Sequence, residues 1–519
     1  MPSLRHATLI DLVHGLCHGR ITSEDLIRAS LARVGEVNHE FHAIIELNPH
    51  VENDAQLLDL EHITRGPRGP LHGVPILLKD NIPALDGTET TCGSLALEGA
   101  KPPKEAAIVT SLRDAGAILL GKANMAEWSG FRSTSGCSGW SPRGGQSKGI
   151  FYPGMKASGS SGGCAIAVAL GLCFAAIGTE TCYSIVSPAE RSGVIGFKPT
   201  RNLLPSEGII HASERQDTVG VLARTVADAM HVALDMAYQS QHRNAATKSN
   251  LVQDISRACL NLDLAGMRIG IPWHLNDIKT MHGAKYESFR IVLSVLKNAG
   301  ATLVHDIVVT GADEYENLTV EEKQIMLDTD MKLAINKYLS SLATNPNNIT
   351  DLQDLIDFTK SCPEEECPTR NVAGLERAQA TDPNNDVYLT MLARDAYFTG
   401  EGGIAGALIR HSCAVLLIPT LSPTVQTFAA KAGSPVLSVP MGTYPPGTPI
   451  ERDAKNGLVN IAPGIPFSLY VFGGIGRDAD VLKVGDVVDR VMRVREGLIP
   501  YLEPKTEIED FQSAGQVEV

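Results

Sequence analysis

The sequence predicts an α/β protein, with a largely parallel or mixed sheet covered by helices. Three observations lead there. Segments with helical and strand periodicity alternate along the whole chain. The 48 glycines and 29 prolines exceed what a helical bundle needs and suit many strand–loop–helix joints. Several apolar runs are continuous rather than alternating, the mark of strands buried on both faces. Taken in order, residues 106–116 read as a helix with Ile108, Val109 and Leu112 on one face, and Ala117 to Gly121 as a buried strand. Met267 to Ile271 reads as a strand closed by Pro272. A helix follows, carrying Phe289, Val292, Leu293 and Leu296 at i, i+3, i+4 and i+7. Gly300 stops it, and Ala301 to Val304 resumes a strand. Residues 318–342 form a long helical stretch. Residues 360–386 are polar, acidic and proline-containing, and are expected to belong to an insertion over the sheet rather than to a separate domain. Strands are expected at 414–418, 435–439 and 466–472, with a helix over about 479–495. The polar residues after 504 are expected to fray.

Composition excludes several classes. Of 519 residues, 43% are hydrophobic and 20% charged, which is neither a disordered chain nor a coiled coil. The formal charge is −14, from 45 basic and 59 acidic residues, which argues against general nucleic-acid binding. Met1 to Ala7 holds no apolar signal core. The longest apolar stretch, Cys164 to Ile177, is interrupted by Gly171 and is short of the roughly 20 residues that span a bilayer. Ten cysteines in a chain this long, several in apolar runs, read as free thiols in a reducing, cytoplasmic setting. Cys362 and Cys367 are the closest pair. No second pair or histidine at ligand spacing follows, so no metal site is expected.

The densest chemistry lies in 156–200. Ser158-Gly159-Ser160-Ser161-Gly162-Gly163 precedes a helix of small residues, and its backbone N–H groups suit either an oxyanion or a plain tight turn. Gly159 to Gly163 also fits the G-x-S-x-G elbow, but that elbow needs a strand just before it, and Tyr152 to Lys156 is a poor one. Ser294-Val295-Leu296-Lys297 fits S-x-x-K, yet sits inside an ordinary amphipathic helix with no K-T-G in the chain. No G-K-[ST] follows a glycine loop, which excludes a P-loop.

Longer matches run the length of the chain. They include Gly69-Pro70-Leu71-His72-Gly73-Val74-Pro75 with Lys79-Asp80-Asn81, and Gly121-Lys122-Ala123-Asn124-Met125-Ala126-Glu127-Trp128. Ser138 to Gln146, Thr179-Glu180-Thr181, Gln216 to Gly220, Ala432 to Val436 and Gly464 to Phe467 join them. On these segments the chain resembles the amidase signature family, which includes fatty acid amide hydrolases and the amidase subunits of glutamyl-tRNA amidotransferases. The resemblance implies one α/β/α domain around a large mixed sheet. It would occupy residues 1–505, with the signature core over about 69–230, a helical insertion over about 310–400 and a flexible tail at 506–519. It also implies a Ser–cis-Ser–Lys triad, falling on Ser184, Ser160 and Lys79, and an oxyanion hole of backbone N–H groups from Thr181, Cys182, Tyr183 and Ser184. Pocket walls in such proteins come from variable segments, expected here to include 125–135 and parts of 310–460. No metal or organic cofactor is implied. The expected partner is a small-molecule amide or ester, with no nucleic acid and no membrane segment, and a homodimer is left open.

The chemistry is coherent on those residues. A serine hydroxyl needs a base, and a lysine serves only when neutral, a state that burial beside Ile76-Leu77-Leu78 favours. A bridging hydroxyl both accepts and donates a proton. One departure stands out: Cys182-Tyr183 replaces the small pair the family usually carries before its nucleophile. If the backbone at Tyr183 were left-handed, a side chain there would cost about 1 kcal/mol or more. Four readings therefore stay open: amide hydrolysis with a reshaped pocket, ester hydrolysis or acyl transfer on the same triad, a degenerate protein with weak or no hydrolysis, and Cys182 as a substitute nucleophile. An amidotransferase subunit, dependent on a partner protein, is a further alternative.

Overall fold

A computed structural model describes residues 2–135, 138–241, 255, 262–275 and 281–512. Eleven strands form one mixed sheet. In chain order they are β1 (Ile44–Leu47), β2 (Pro75–Lys79), β3 (Ile118–Ala123), β4 (Ala175–Glu180), β5 (Ile195–Lys198), β6 (Thr218–Ala223), β7 (Arg268–Gly270), β8 (Thr302–Val304), β9 (Val415–Ile418), β10 (Val436–Thr443) and β11 (Pro466–Gly473). Their spatial order is β1-β3-β2-β4-β6-β5-β10-β11-β9-β7-β8. Pairing is parallel between β2 and both β3 and β4, and between β7 and both β8 and β9; the other contacts are antiparallel. The α/β architecture with a large mixed sheet is therefore the one expected, and all four long C-terminal elements fall where their periodicity put them.

Helices cover both faces. On one, α1 (Gly162–Ala169) and α2 (Val186–Ser192) pack together and against the central strands; on the other lie α3 (Val226–Gln241), α4 (Gly283–Asn298) and α5 (Asp478–Met492). The stripe of Phe289, Val292, Leu293 and Leu296 on α4 is buried, as its spacing requires. β2 is buried at every position, which is why its sequence shows no alternation. Local chemistry fixes several starts. Thr8 with Asp11, Thr22 with Asp25 and Thr319 with Glu322 form capping boxes, the last opening the long helix Val320–Ser340.

The stretch 310–400 is helical, and it shares a core with the signature segment. Met331, Ile335, Leu355, Ile356 and Leu375 bury against Cys92, Met125 and Trp128. Arg132, fully buried, joins the two halves by pairing with Glu127 and with Glu365. Residues 360–386 hold a helix, Ala373–Gln379, that their polar composition hides. The described part of the expected tail, 506–512, is tied down rather than frayed. Glu507 accepts from the Leu4 N–H at 2.8 Å and the Ser3 hydroxyl at 2.6 Å, and Ile508 is buried. Acceptors and apolar side chains in this polar segment meet the start of the chain, a contact that local composition does not reveal. The rest of the tail lies outside the described residues.

Candidate active site

The parallel pairing of β2 with β4 sets Ile76 beside Ala175, Leu77 beside Ala176 and Leu78 beside Ile177. The carboxyl ends of both strands thus emerge together, the usual place for a site in an α/β sheet. Lys79 ends β2 and is fully buried. Its Nζ lies 2.7 Å from Ser160 Oγ and 2.9 Å from both the carbonyl and the hydroxyl of Thr179, which sits near the end of β4. Asn81 holds that threonine, donating from Nδ2 at 3.0 Å. Every hydrogen-bond partner of Lys79 is uncharged, and burial pushes the ammonium down to about 8.

Ser160 follows a cis peptide bond from Gly159 and is almost fully buried. The Ser161 N–H donates to the Ser184 carbonyl at 3.0 Å, which locks the glycine–serine loop to the segment of the expected nucleophile. Ser160 and Ser184 line one cleft. The structure joins Lys79 to Ser160 directly, while the Ser184 hydroxyl makes no hydrogen bond to any described residue. Ser161, the serine of the G-x-S-x-G reading, instead turns inward to the Thr179 carbonyl at 3.3 Å and does not reach the cleft. Ser294 back-bonds to the Arg290 carbonyl on an exposed helix face, so the S-x-x-K match carries no site.

Residues 181–184 connect β4 to α2. The Glu180 carboxylate, buried behind them, accepts from the Ile185 and Val186 N–H groups at 2.7 and 3.0 Å. It thereby caps the start of α2 and fixes the turn that carries Ser184. Burial raises Glu180 to about 7, opposed by nearby Lys198. The N–H groups of Cys182, Tyr183 and Ser184 donate to no described acceptor, and all three residues border the cleft. Thr181, by contrast, is buried behind it. Tyr183 is not among the left-handed residues, so the backbone cost foreseen for a side chain there does not arise. The residue is 41% exposed and borders the cleft. Burial pushes the Cys182 thiol up to about 12, with Glu180 and Asp217 adding to the effect. It stays protonated, a poor nucleophile.

The cleft has a volume of about 870 Å³. One wall comes from residues 126–135, another from the insertion and beyond, including Tyr315, Lys323, Leu327 and Thr424, and a third from Lys285, Tyr444 and Asp453. Residues of the expected segments 125–135 and 310–460 border this cleft, and so do Lys156, Ser187, Glu190, Arg191 and Lys285, which lie outside them. Sequence reasoning missed Ser187, Glu190, Arg191, Lys156 and Lys285. Ser187 and Arg191 lie four positions apart on one face of α2, but only the fold turns that face to the cleft. Among the described residues, no group of three or more His, Cys, Asp or Glu could hold a metal ion, and no helix is long and apolar enough to cross a membrane.

Comparison with known proteins adds to this geometry. A family model described as Amidase matches residues 25–482. A putative amidase of Arthroderma benhamiae is 35% identical over 537 aligned positions, covering 98% of this chain and 89% of the relative. A glutamyl-tRNA(Gln) amidotransferase subunit of Acidothermus cellulolyticus is 34% identical, over 58% of each chain. The crystal structure of the native peptide amidase from Stenotrophomonas maltophilia superposes with a TM-score of 0.80 at 31% identity, covering 96% of this chain and 99% of that one.

Proposed function

The chain belongs to the amidase family, and from that premise we propose that it is a serine amidohydrolase in which Ser184 attacks the carbonyl of a linear carboxylic amide, with Ser160 and Lys79 moving the proton. The observation that carries this reading is the set of neutral partners around Lys79. A neutral amine has two N–H donors and one lone pair. The carbonyl and hydroxyl of Thr179 take the two donors, which leaves the lone pair to accept the proton of Ser160. Ser160 then accepts from Ser184, and the alkoxide forms its bond to the carbonyl carbon. The negative oxygen of the tetrahedral intermediate finds three unused N–H donors, those of Cys182, Tyr183 and Ser184. Run backwards, the relay protonates the departing amine as the C–N bond breaks, and water releases the acid from the acyl-enzyme.

The backbone at Tyr183 supports retained hydrolysis over a degenerate fold. No residue of 181–184 has a left-handed backbone, the N–H groups of 182–184 meet no described acceptor, and the cleft beside Tyr183 keeps room for a substrate. The test is kinetic. Ser184→Ala and Lys79→Ala are each expected to lower kcat on an amide by about 10³-fold or more. Amide turnover at the wild-type rate by Ser184→Ala would reject the reading.

A further inference from the structure

The wall of the cleft beyond Ser184 is cationic in a chain whose net charge is −14. α2 runs away from the nucleophile with Ser187 and Arg191 on the face that borders the cleft. Arg191 donates from Nε to the Lys156 carbonyl at 3.0 Å and from Nη2 to the Val459 carbonyl at 3.4 Å. These partners are uncharged, and Nη1 meets no described acceptor. Burial weakens its hold on its proton, the sign of a guanidinium stripped of water without a full counter-charge. Across from it, the Lys285 ammonium sits 5.9 Å from the ring centre of Tyr444 and 5.7 Å from that of Phe467.

The charges facing this corner do not cancel. Glu190 is its near carboxylate, 3.5 Å from Lys285, and it is already engaged by the Tyr470 hydroxyl and by the Ser468 N–H at 3.3 Å. Lys156 and Asp453 pair with each other. Two cations against one occupied carboxylate leave one positive charge, with a free guanidinium edge beside an aromatic wall.

We propose that Arg191 and Lys285 form an anion subsite of this cleft, and that the preferred substrates are amides bearing a carboxylate at the spacing that separates this corner of the cleft from Ser184. The proposal rests on Ser184 marking the position of that carbonyl. A guanidinium matches a carboxylate by a planar fork, and Lys285 adds a point charge. The charge serves to place the amide in register at Ser184 rather than to act on the reacting atoms.

The experiment separates this subsite from the hydrolytic reading. A series of linear dicarboxylic acid monoamides of graded length is compared with uncharged monoamides of equal length, first for binding to Ser184→Ala by calorimetry, then for kcat/KM with the wild type. The acid of best-fitting length is expected to bind at least about tenfold more tightly than its uncharged counterpart, with the advantage shrinking at high salt. In Ser184→Ala carrying Lys285→Gln or Arg191→Gln, the ratio between the two ligands is expected to fall toward one. Comparing ligands within one variant cancels general effects on folding. Equal binding of charged and uncharged amides by Ser184→Ala overturns the subsite, even if the wild type hydrolyses both. A charge preference in binding with no hydrolysis by the wild type supports the subsite and overturns the amidohydrolase reading.

Discussion

In the role proposed for it, Lys79 works by how little holds its proton. No carboxylate hydrogen-bonds it, and its ordinary affinity for a proton is lowered by burial. A lysine acting as the proposed base must be neutral, so activity is expected to have a definite sign with pH. Below about 8, kcat/KM on an uncharged amide is expected to fall close to tenfold per pH unit, and above it to level off, as a pH–rate profile with that substrate will reveal. Tyr183 is the second residue with a distinct signature. It borders the cleft and its backbone is not left-handed, so Tyr183→Gly is expected to raise kcat/KM for bulky acyl groups severalfold while leaving small ones nearly unchanged. A uniform collapse across the panel would mean that the ring instead holds the loop in place. Lys79, Ser160 and Ser184 can be singled out in the sequence because each lies in a contiguous motif. Arg191 and Lys285 cannot: they sit on different helices, and only the fold brings both to one cleft.

Among the elements, β2, β4 and α2 do most to build the site. Parallel pairing brings the ends of β2 and β4 together, and the Glu180 cap aims the turn into α2. The strand β4 itself was hard to read, since Ala175-Ala176-Ile177-Gly178 has little β-branched content and reveals itself only by its place between β2 and β6. Helix α4, with a full apolar stripe, was legible to within a turn. Beside the shared apolar core, one guanidinium bridges the insertion and the signature segment. Burial and the nearby Glu365 hold the Glu127 carboxyl well above the usual range, and Arg132 is what makes the arrangement tolerable. Arg132→Met is therefore expected to lower unfolding stability by about 3–5 kcal/mol, because it leaves two buried carboxyls without their cation. Adding Glu127→Gln should restore part of the loss in chemical denaturation. Additive losses in the double variant would argue against this account.

For the molecule as a whole, closure of the chain on itself matters. Residues 506–512 seal the start of the chain through Glu507 and Ile508, so truncation after residue 505 is expected to lower Tm by several degrees, a change that differential scanning calorimetry will register. An unchanged Tm would make this contact incidental. The sheet order could not be read from sequence, because its centre is assembled from strands of both halves, with β5 beside β10. The purified single chain is expected to hydrolyse an amide unaided, since Lys79, Ser160, Ser184 and the free N–H donors all come from one polypeptide. A strict requirement for a second protein would favour the amidotransferase alternative.

The most direct probe of the triad is the site of covalent capture. Wild-type protein treated with a fluorophosphonate and digested for mass spectrometry is expected to carry the adduct on Ser184, with labelling absent in Ser184→Ala and much slowed in Lys79→Ala. An adduct on Cys182 or Ser161, or amide turnover that persists with Ser184 unlabelled, would contradict the relay proposed for this cleft.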